Sequence, residues 1–243
     1  MGRKSRLKKE RKFLKCTGRG ELKFSEGVLN MTHKGKGPVY KFFQEEAHAE
    51  ALCKGYVWLS TLETCRAYEN KQRGDPSEAI HTCYYDYLTG GSSDADFVSA
   101  ASRMGIKIDD GCHNLTFENP SHEVILPDAF VLCTTNEFIP AELSEDFGDY
   151  CVEISNPNEF FKRVSLALHD DIGMQRGAMG PVQYMSRDYH GTDETPRPIG
   201  FIKPESYSAQ KEFRFLWIPQ DENNIKPRGL RCQEITELCK RIT

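Results

Sequence analysis

The sequence predicts a single α+β domain with a mostly antiparallel sheet, and three observations favour that fold. The chain has 243 residues, of which 38% are hydrophobic and 11% aromatic, so it is long enough to bury one full core. Short runs that alternate apolar and polar residues recur along it, as half-buried strands require. One segment around residue 160 has the start signals and the apolar spacing of a helix.

The first 38 residues are predicted to be a basic, flexible arm and linker, and residues 39–243 the folded domain. Eight of the first 15 residues are basic against a single Glu10, so residues 1–15 carry +7 and the rest of the chain −11, for a net charge of −4. Such an arm favours contact with the phosphates of RNA or DNA; a solvated terminus is the alternative. The basic residues are Arg3, Lys4, Arg6, Lys8, Lys9, Arg11, Lys12 and Lys15.

The first elements of the domain follow a strand, helix, strand order. Residues 39–43 are a short run of β-favouring residues, and residues 45–54 are helical and closed by a glycine, as helix ends often are. Residues 56–60 alternate large aromatic with aliphatic side chains, which indicates a second strand. A helix in the first half of 61–78 then stops before a Gly and Pro turn.

The rest of the chain adds strands and one strongly marked helix. That helix has Asn156 as its N-cap, Pro157 in its first turn, and apolar residues at 160, 164 and 168. Residues 98–119 carry no clear period. Further strands are predicted at 84–87, 123–126, 129–135, 150–154, 181–185, 199–203 and 210–217.

Composition indicates a soluble protein kept in the cytoplasm without membrane contact. No apolar run is long enough to cross a bilayer, and no signal-peptide core is present. The nine cysteines are odd in number, scattered and never in a C-x-x-C pair, which is typical of free thiols in a reducing compartment and argues against zinc. No G-x-G-x-x-G or Walker loop occurs.

The predicted strand 210–217 is the segment from which a function can be inferred. Phe213 and the aromatic residues two and four positions on share one face, which must lie against the core. Gln210, Glu212 and Arg214 share the other face. One interpretation is an edge strand with a solvated Glu212–Arg214 ion pair; the other is a catalytic glutamate on a rigid strand.

The spacing of Gln210 and Glu212 suits chemistry at a ribose. Two residues apart on a strand, their side chains project from one face about 7 Å apart. A carboxylate so placed can hold a ribose 2′-hydroxyl and stabilise the positive charge that develops as a glycosidic bond breaks. The amide can hold the incoming nucleophile. Glu212→Gln is then expected to remove this charge while leaving the fold close to the parent.

Gln-x-Glu on a strand near the C-terminus resembles the motif of the ADP-ribosyltransferase toxin fold, which has a split sheet. The resemblance implies that NAD is a co-substrate, that no metal is needed, and that Glu212 and Gln210 are catalytic. In that family an early strand contributes an Arg or His to the dinucleotide, a position that Lys41 occupies here. A middle strand contributes a Ser-Thr-Ser-like segment, for which Ser60-Thr61 and Thr134-Thr135 are candidates. The residues expected to line the NAD cleft are Tyr40, Lys41, Ser60, Thr61, Tyr68 and Arg73.

The run of the chain from residue 39 to 218 is also similar to a group of uncharacterised phage- and plasmid-associated bacterial proteins. A toxin or phage-defence effector that modifies RNA, DNA or a protein is therefore expected, with an antitoxin as a possible partner. Two alternatives stay open. One is a nucleic-acid-binding protein without chemistry that uses the basic arm, and the other is a metal-dependent nuclease using Asp75, Glu78 and Glu212.

Overall fold

A computed structural model describes residues 37–68, 74–191, 193, 198–221 and 225–243. The predicted basic arm and Arg73 lie outside the described residues. Fifteen strands occur in the described part of the chain. They are β1 Val39–Phe43, β2 Tyr56–Thr61, β3 Ile80–Tyr84, β4 Tyr87–Gly90, β5 Leu115–Glu118, β6 Ser121–Ile125, β7 Phe130–Thr135, β8 Tyr150–Ile154, β9 Met174–Pro181, β10 Gln183–Tyr184, β11 Asp188–His190, β12 Ile202–Lys203, β13 Glu212–Pro219, β14 Arg228–Arg231 and β15 Cys239–Arg241.

Helices flank these strands. The α-helices are α1 Glu46–Cys53, α2 Leu62–Ala67, α3 Ala95–Arg103, α4 Pro140–Phe147 and α5 Pro157–Ile172, and 3-10 segments lie at Ile199–Phe201, Glu205–Gln210 and Gln233–Leu238. The predicted start of α5 is confirmed, because the Asn156 side chain accepts a hydrogen bond from the backbone of Glu159. Helix α3 begins before the unassigned stretch 98–119 and extends into it, and the Asp94 side chain caps its start.

The main sheet has eight antiparallel strands and forks at β7. One edge of β7 pairs with β13 along its whole length. The other edge is shared, with β2 against its first residues and β1 against Thr135 at its end. From the fork, β14 extends the β2 branch, β8 and β15 extend the β1 branch, and β9 covers the free edge of β13. Parallel pairs occur only in small sheets of the described residues, so the predicted α+β class with a mostly antiparallel sheet is confirmed.

The main hydrophobic cluster lies on the face of the sheet that α1 and α5 cover, and a smaller cluster that includes Leu216 lies on the other face. Helix α1 packs against β1, β2, β8 and β15, at the fork of the sheet. Helix α5 places Phe160 and Phe161 against Phe215, with ring centroids 5.3 and 6.2 Å away. Trp217 is fully buried and its indole N–H donates to Ser165 Oγ at 2.8 Å. The predicted burial of the aromatic face of β13 is therefore confirmed.

Two details of the predicted 210–217 strand are wrong. The strand begins at Glu212, because Gln210 ends a 3-10 helix and Lys211 has a left-handed φ of +45°. The second error concerns the polar face, which we expected to be open to solvent in the ion-pair interpretation. Glu212 and Arg214 are 3% and 0% exposed, because a second layer of chain covers that face as well. Residues 199–201, predicted as strand, are also 3-10 helix.

Candidate active site

A row of three residues crosses the sheet at the end of β7. Thr135 lies opposite Tyr40 of β1 on one side and opposite Glu212 of β13 on the other. Opposed residues in antiparallel strands have Cβ atoms about 4.5–5.5 Å apart. Residues from three distant parts of the sequence thus meet in one line.

A left-handed turn connects Gln210 to this row. The Lys211 carbonyl accepts hydrogen bonds from the Asn136 backbone N–H at 2.9 Å and from Thr135 Oγ1 at 3.2 Å. These contacts fix a conformation that a lysine adopts only at some cost. Although Gln210 does not lie on the strand, Lys203 Nζ donates to its Oε1 at 3.1 Å and lies 2.6 Å from Glu212 Oε2. The proposed catalytic pair is therefore joined through one ammonium group.

Both oxygens of Glu212 are occupied by cations. Arg214 Nε donates to Oε1 at 2.8 Å, and Lys203 Nζ contacts Oε2. Two nitrogens of Arg214 donate hydrogen bonds to the Glu78 carboxylate, at 2.7 and 3.2 Å. Arg214 also donates to the Gly200 carbonyl at 2.6 Å. Such a two-pronged contact fixes the plane of the guanidinium as well as its position.

A further ion pair extends this group. Arg187 donates to both carboxylate oxygens of Asp75, and its Nη2 lies 3.9 Å from Glu78 Oε1. The buried charge cluster then has three cations and three anions, so the formal charges cancel. None of the six is more than a tenth exposed. Its members are Asp75, Glu78, Arg187, Lys203, Glu212 and Arg214.

The charges of the cluster control the ionisation of Glu212. Burial by itself raises the pKa of this carboxyl, but the charges and hydrogen bonds of Arg214 and Lys203 outweigh burial and hold the pKa well below its usual range. Burial likewise opposes ionisation of Lys203, and the carboxylates of Glu212 and Glu78 nevertheless raise its pKa. Glu212 is therefore a carboxylate and Lys203 an ammonium at neutral pH.

A cavity of about 70 Å³ lies over the row. Helix α4 contributes Leu143 and Phe147 to it, and Phe138, 42% exposed, packs on Tyr40 beside it with ring centroids 5.7 Å apart. Ligand pockets typically measure about 300–1,000 Å³, so with α4 in this position the cavity is too small for a dinucleotide. It is lined by Tyr40, Phe42, Cys65, Glu78, Cys133, Thr134, Thr135, Leu143, Phe147, Lys203, Gln210 and Glu212.

Comparison of the chain with protein-family models, curated proteins and solved structures gives no match. The interpretation of the site therefore depends on its geometry. No helix in the described ranges is long and apolar enough to cross a membrane.

The structure separates the other residues expected to bind NAD. Tyr40 lines the cavity, whereas Lys41 does not, and its Nζ lies 5.8 Å from the ring centroid of Phe43. Ser60 and Thr61 pair with the opposite end of β7, and the Thr61 hydroxyl caps α2. Tyr68 is 43% exposed and does not line the cavity. Of the two Ser/Thr candidates, only Thr134-Thr135 lies at the cavity.

The three carboxylates considered for a nuclease do lie in one buried cluster. Each is bound by a cation of the chain: Arg187 holds Asp75, and Arg214 holds Glu78 and Glu212. Among the described residues, no three or more His, Cys, Asp or Glu side chains are placed so that they could hold a metal ion. The geometry thus gives the nuclease interpretation no support.

Sequence reasoning missed several residues of the site. No sequence spacing marks Lys203 or Tyr184 as a site residue. Lys203 nevertheless bridges the proposed catalytic pair, and the Tyr184 hydroxyl accepts a hydrogen bond from the Glu212 backbone N–H at 2.8 Å. Phe138 follows β7 in a segment without periodicity. Only Arg214 carried a signal, because it alternates with Glu212 along the strand.

Proposed function

We propose that this protein is an NAD-dependent ADP-ribosyltransferase with Glu212 as the catalytic carboxylate. The observation that carries the proposal is the row Tyr40, Thr135 and Glu212 on three neighbouring strands, with Gln210 beside it. The resemblance requires an early strand, a Ser/Thr-bearing middle strand and the Gln-x-Glu segment to form one site. Strands β1, β7 and β13 lie far apart in sequence, so no local sequence pattern accounts for their meeting at one site.

In this proposal Glu212 holds the ribose 2′-hydroxyl and favours the charge that develops as nicotinamide leaves. Lys203 releases Glu212 Oε2 for that contact, since it is a flexible single-point donor that can keep its bond to Gln210. Arg214 stays in place because Glu78 also holds it. Gln210 then positions the acceptor.

NAD entry requires that α4 move away from the row. The helix contacts β1 and the 3-10 segment that ends at Gln210, and its N-cap residue Ile139 makes no side-chain capping bond. Phe138 and Tyr40 then become an aromatic wall for one ring of the dinucleotide. Motion of α4 is thus the conformational step that the small cavity makes necessary.

The test is to incubate the protein with NAD labelled on the adenylate and to offer RNA, DNA and a bacterial lysate as acceptors. Nicotinamide release and label transfer are measured separately. Glu212→Gln should reduce both by roughly 10²–10³. Gln210→Ala should keep slow NAD hydrolysis and lose transfer to the acceptor.

Asp75→Asn is the matched control, because it removes one negative charge from the same buried charge cluster without lining the cavity. Asp75→Asn should retain both activities at temperatures where the variant is folded. If the parent protein neither cleaves NAD nor transfers label to any acceptor, or if Glu212→Gln is fully active, the enzyme proposal is wrong. A toxin or phage-defence role with an antitoxin remains part of the proposal only if transfer occurs.

A further inference from the structure

Strand β2 presents two aromatic side chains to solvent. Tyr56 and Trp58 project from the same side of the strand and are 49% and 65% exposed. The residues between and after them, Val57 and Leu59, are buried in the core. The core therefore accounts for Val57 and Leu59, whereas the two aromatic side chains lie outside it.

The neighbouring strand β14 keeps this face open. Gly229 lies directly opposite Trp58, so no side chain covers the indole from that position. Arg231 lies opposite Tyr56, and its guanidinium carbon is 5.7 Å from the ring centroid. Arg231 forms no ion pair with any residue that the structure describes. We call Tyr56, Trp58, Gly229 and Arg231 the β2 aromatic surface.

We propose that the β2 aromatic surface binds single-stranded nucleic acid. Two successive bases pack on the rings, and Arg231 contacts a phosphate. Aromatic rings on a flat strand accept any base because every base has a π-face, and a nearby arginine adds attraction for the backbone. The rings lie two residues apart on one strand, about 7 Å, so they can serve adjacent nucleotides.

Charge favours nucleic acid over a protein partner. No carboxylate among the described residues forms an ion pair with Arg231, and residues 1–15 add a charge of +7. A protein interface of standard size needs about 800 Å² per partner around an apolar centre. Here the centre is an arginine packed on a tyrosine. The proposal does not depend on NAD chemistry, because β2 joins β7 at the end opposite to the row at Thr135.

Tryptophan fluorescence offers a direct test on the full chain. The protein has two tryptophans, and Trp217 is fully buried, so quenching by an added oligonucleotide reports on Trp58. Short RNA and DNA single strands should quench it, and a duplex of the same sequence should not, because its bases are already stacked. Trp58→Ala and Tyr56→Ala should each weaken single-strand binding, measured by fluorescence anisotropy, by roughly 5- to 150-fold.

Gly229→Leu tests the surface without removing a ring. A Cβ at this position would lie 3.8 Å from Trp58, an ordinary contact, so the leucine can cover the indole without strain. It should weaken binding as Trp58→Ala does. Tyr87→Ala removes an aromatic residue that is 68% exposed on β4, in a different sheet, and should bind like the parent.

Three outcomes would overturn the proposal. The first is the absence of single-strand binding by the parent. The second is binding without quenching, which would assign the contact to the basic arm and would fall steeply with salt. The third is equal affinity in Trp58→Ala and the parent. None of these results bears on NAD cleavage, so the two proposals fail independently.

Discussion

At the scale of single residues, the environment of Glu212 decides both its charge and the cost of changing it. The carboxylate lies between Arg214 and Lys203 and has almost no contact with solvent. Removing one partner of a buried ion pair leaves an uncompensated charge, which costs about 3–5 kcal/mol. Side-chain volume is therefore a poor guide to the effect of substitution here.

Glu212→Gln should lower the melting temperature, which revises the expectation of near-parent stability. A loss of about 3–5 kcal/mol in the free energy of unfolding lowers the melting temperature of a chain of this length by roughly 6–20 °C. The measurement is thermal unfolding followed by circular dichroism. The melting temperature of Asp75→Asn should fall by a similar amount, because this substitution removes the carboxylate that Arg187 binds. Unchanged melting of both variants would mean that the buried charge cluster is not formed in solution.

His81 should make stability fall as the solution becomes acidic. The His81 side chain is 1% exposed. Burial and the charge of Arg187 lower its pKa. Contact with the Ile199 backbone and the charge of Asp188 raise the pKa and offset only part of this lowering. A histidine whose folded pKa is depressed favours folding above its unfolded pKa of about 6.5. This contribution is lost as pH falls below that value.

The check is chemical denaturation of the parent and of His81→Phe at pH 7.5 and pH 5. The parent should lose more stability than the variant between these values. Glu212 adds nothing to the difference, because its folded pKa is lowered and its stabilising effect is lost only in stronger acid. An equal loss in both proteins would show that His81 is not buried as a neutral ring.

At the scale of elements, the turn at Lys211 determines where β13 begins and where Gln210 lies. The backbone there is left-handed, and its carbonyl is fixed by donors from the segment after β7. A continuous strand would have placed Gln210 and Glu212 on one face. The turn places them around Lys203 instead.

Substitutions at Lys211 should separate backbone conformation from side-chain chemistry. Lys211→Gly should melt at or above the temperature of the parent, because glycine adopts a positive φ without steric cost. Lys211→Val should melt lower, since a β-branched residue at φ of +45° is strained by about 1–3 kcal/mol. Differential scanning calorimetry of the pair measures this. Equal melting of the two variants would exclude a left-handed turn.

At the scale of the whole molecule, β13 is the centre of the domain. It is paired on both edges, by β7 and β9, and seven of its eight residues are buried. The β4–β5 pair, by contrast, is a two-stranded sheet whose β4 residues are all at least partly exposed. Stability should therefore be distributed unevenly.

Hydrogen exchange measured by mass spectrometry should follow this gradient. Peptides from β13 and β7 should exchange last, near the rate set by global unfolding, and peptides from β4 and β5 much earlier. Gly90→Ala serves as a probe, because a Cβ there would lie 2.5 Å from the Phe97 side chain. It should speed exchange in β4 and β5 and leave β13 unchanged. Simultaneous exchange of β4 and β13 would mean that the domain opens only as one unit.

Local patterns in the sequence were sufficient to predict the α+β class, the start of α5 and the aromatic face of β13. They depend on neighbouring residues, namely a cap and its first turn, or alternation along one strand. The site was predictable only in part. The sequence marked Glu212 by its motif and Thr134-Thr135 as a pair of hydroxyl residues, and these lie at the site. It marked Ser60 and Thr61 equally well, but they lie at the other end of β7.

Tertiary structure alone decided how these pieces meet. The forked sheet brings β1 beside β7, and chain segments around residues 75–78 and 200–203 cover the polar face of β13. Burying that face requires opposite charges from distant positions, and no local pattern predicts that Lys203 and Glu78 supply them. The left-handed turn at Lys211 likewise depends on donors 75 residues earlier in the chain. Local periodicity specifies the elements, but the charges and hydrogen bonds that form the site join residues that only the fold brings together.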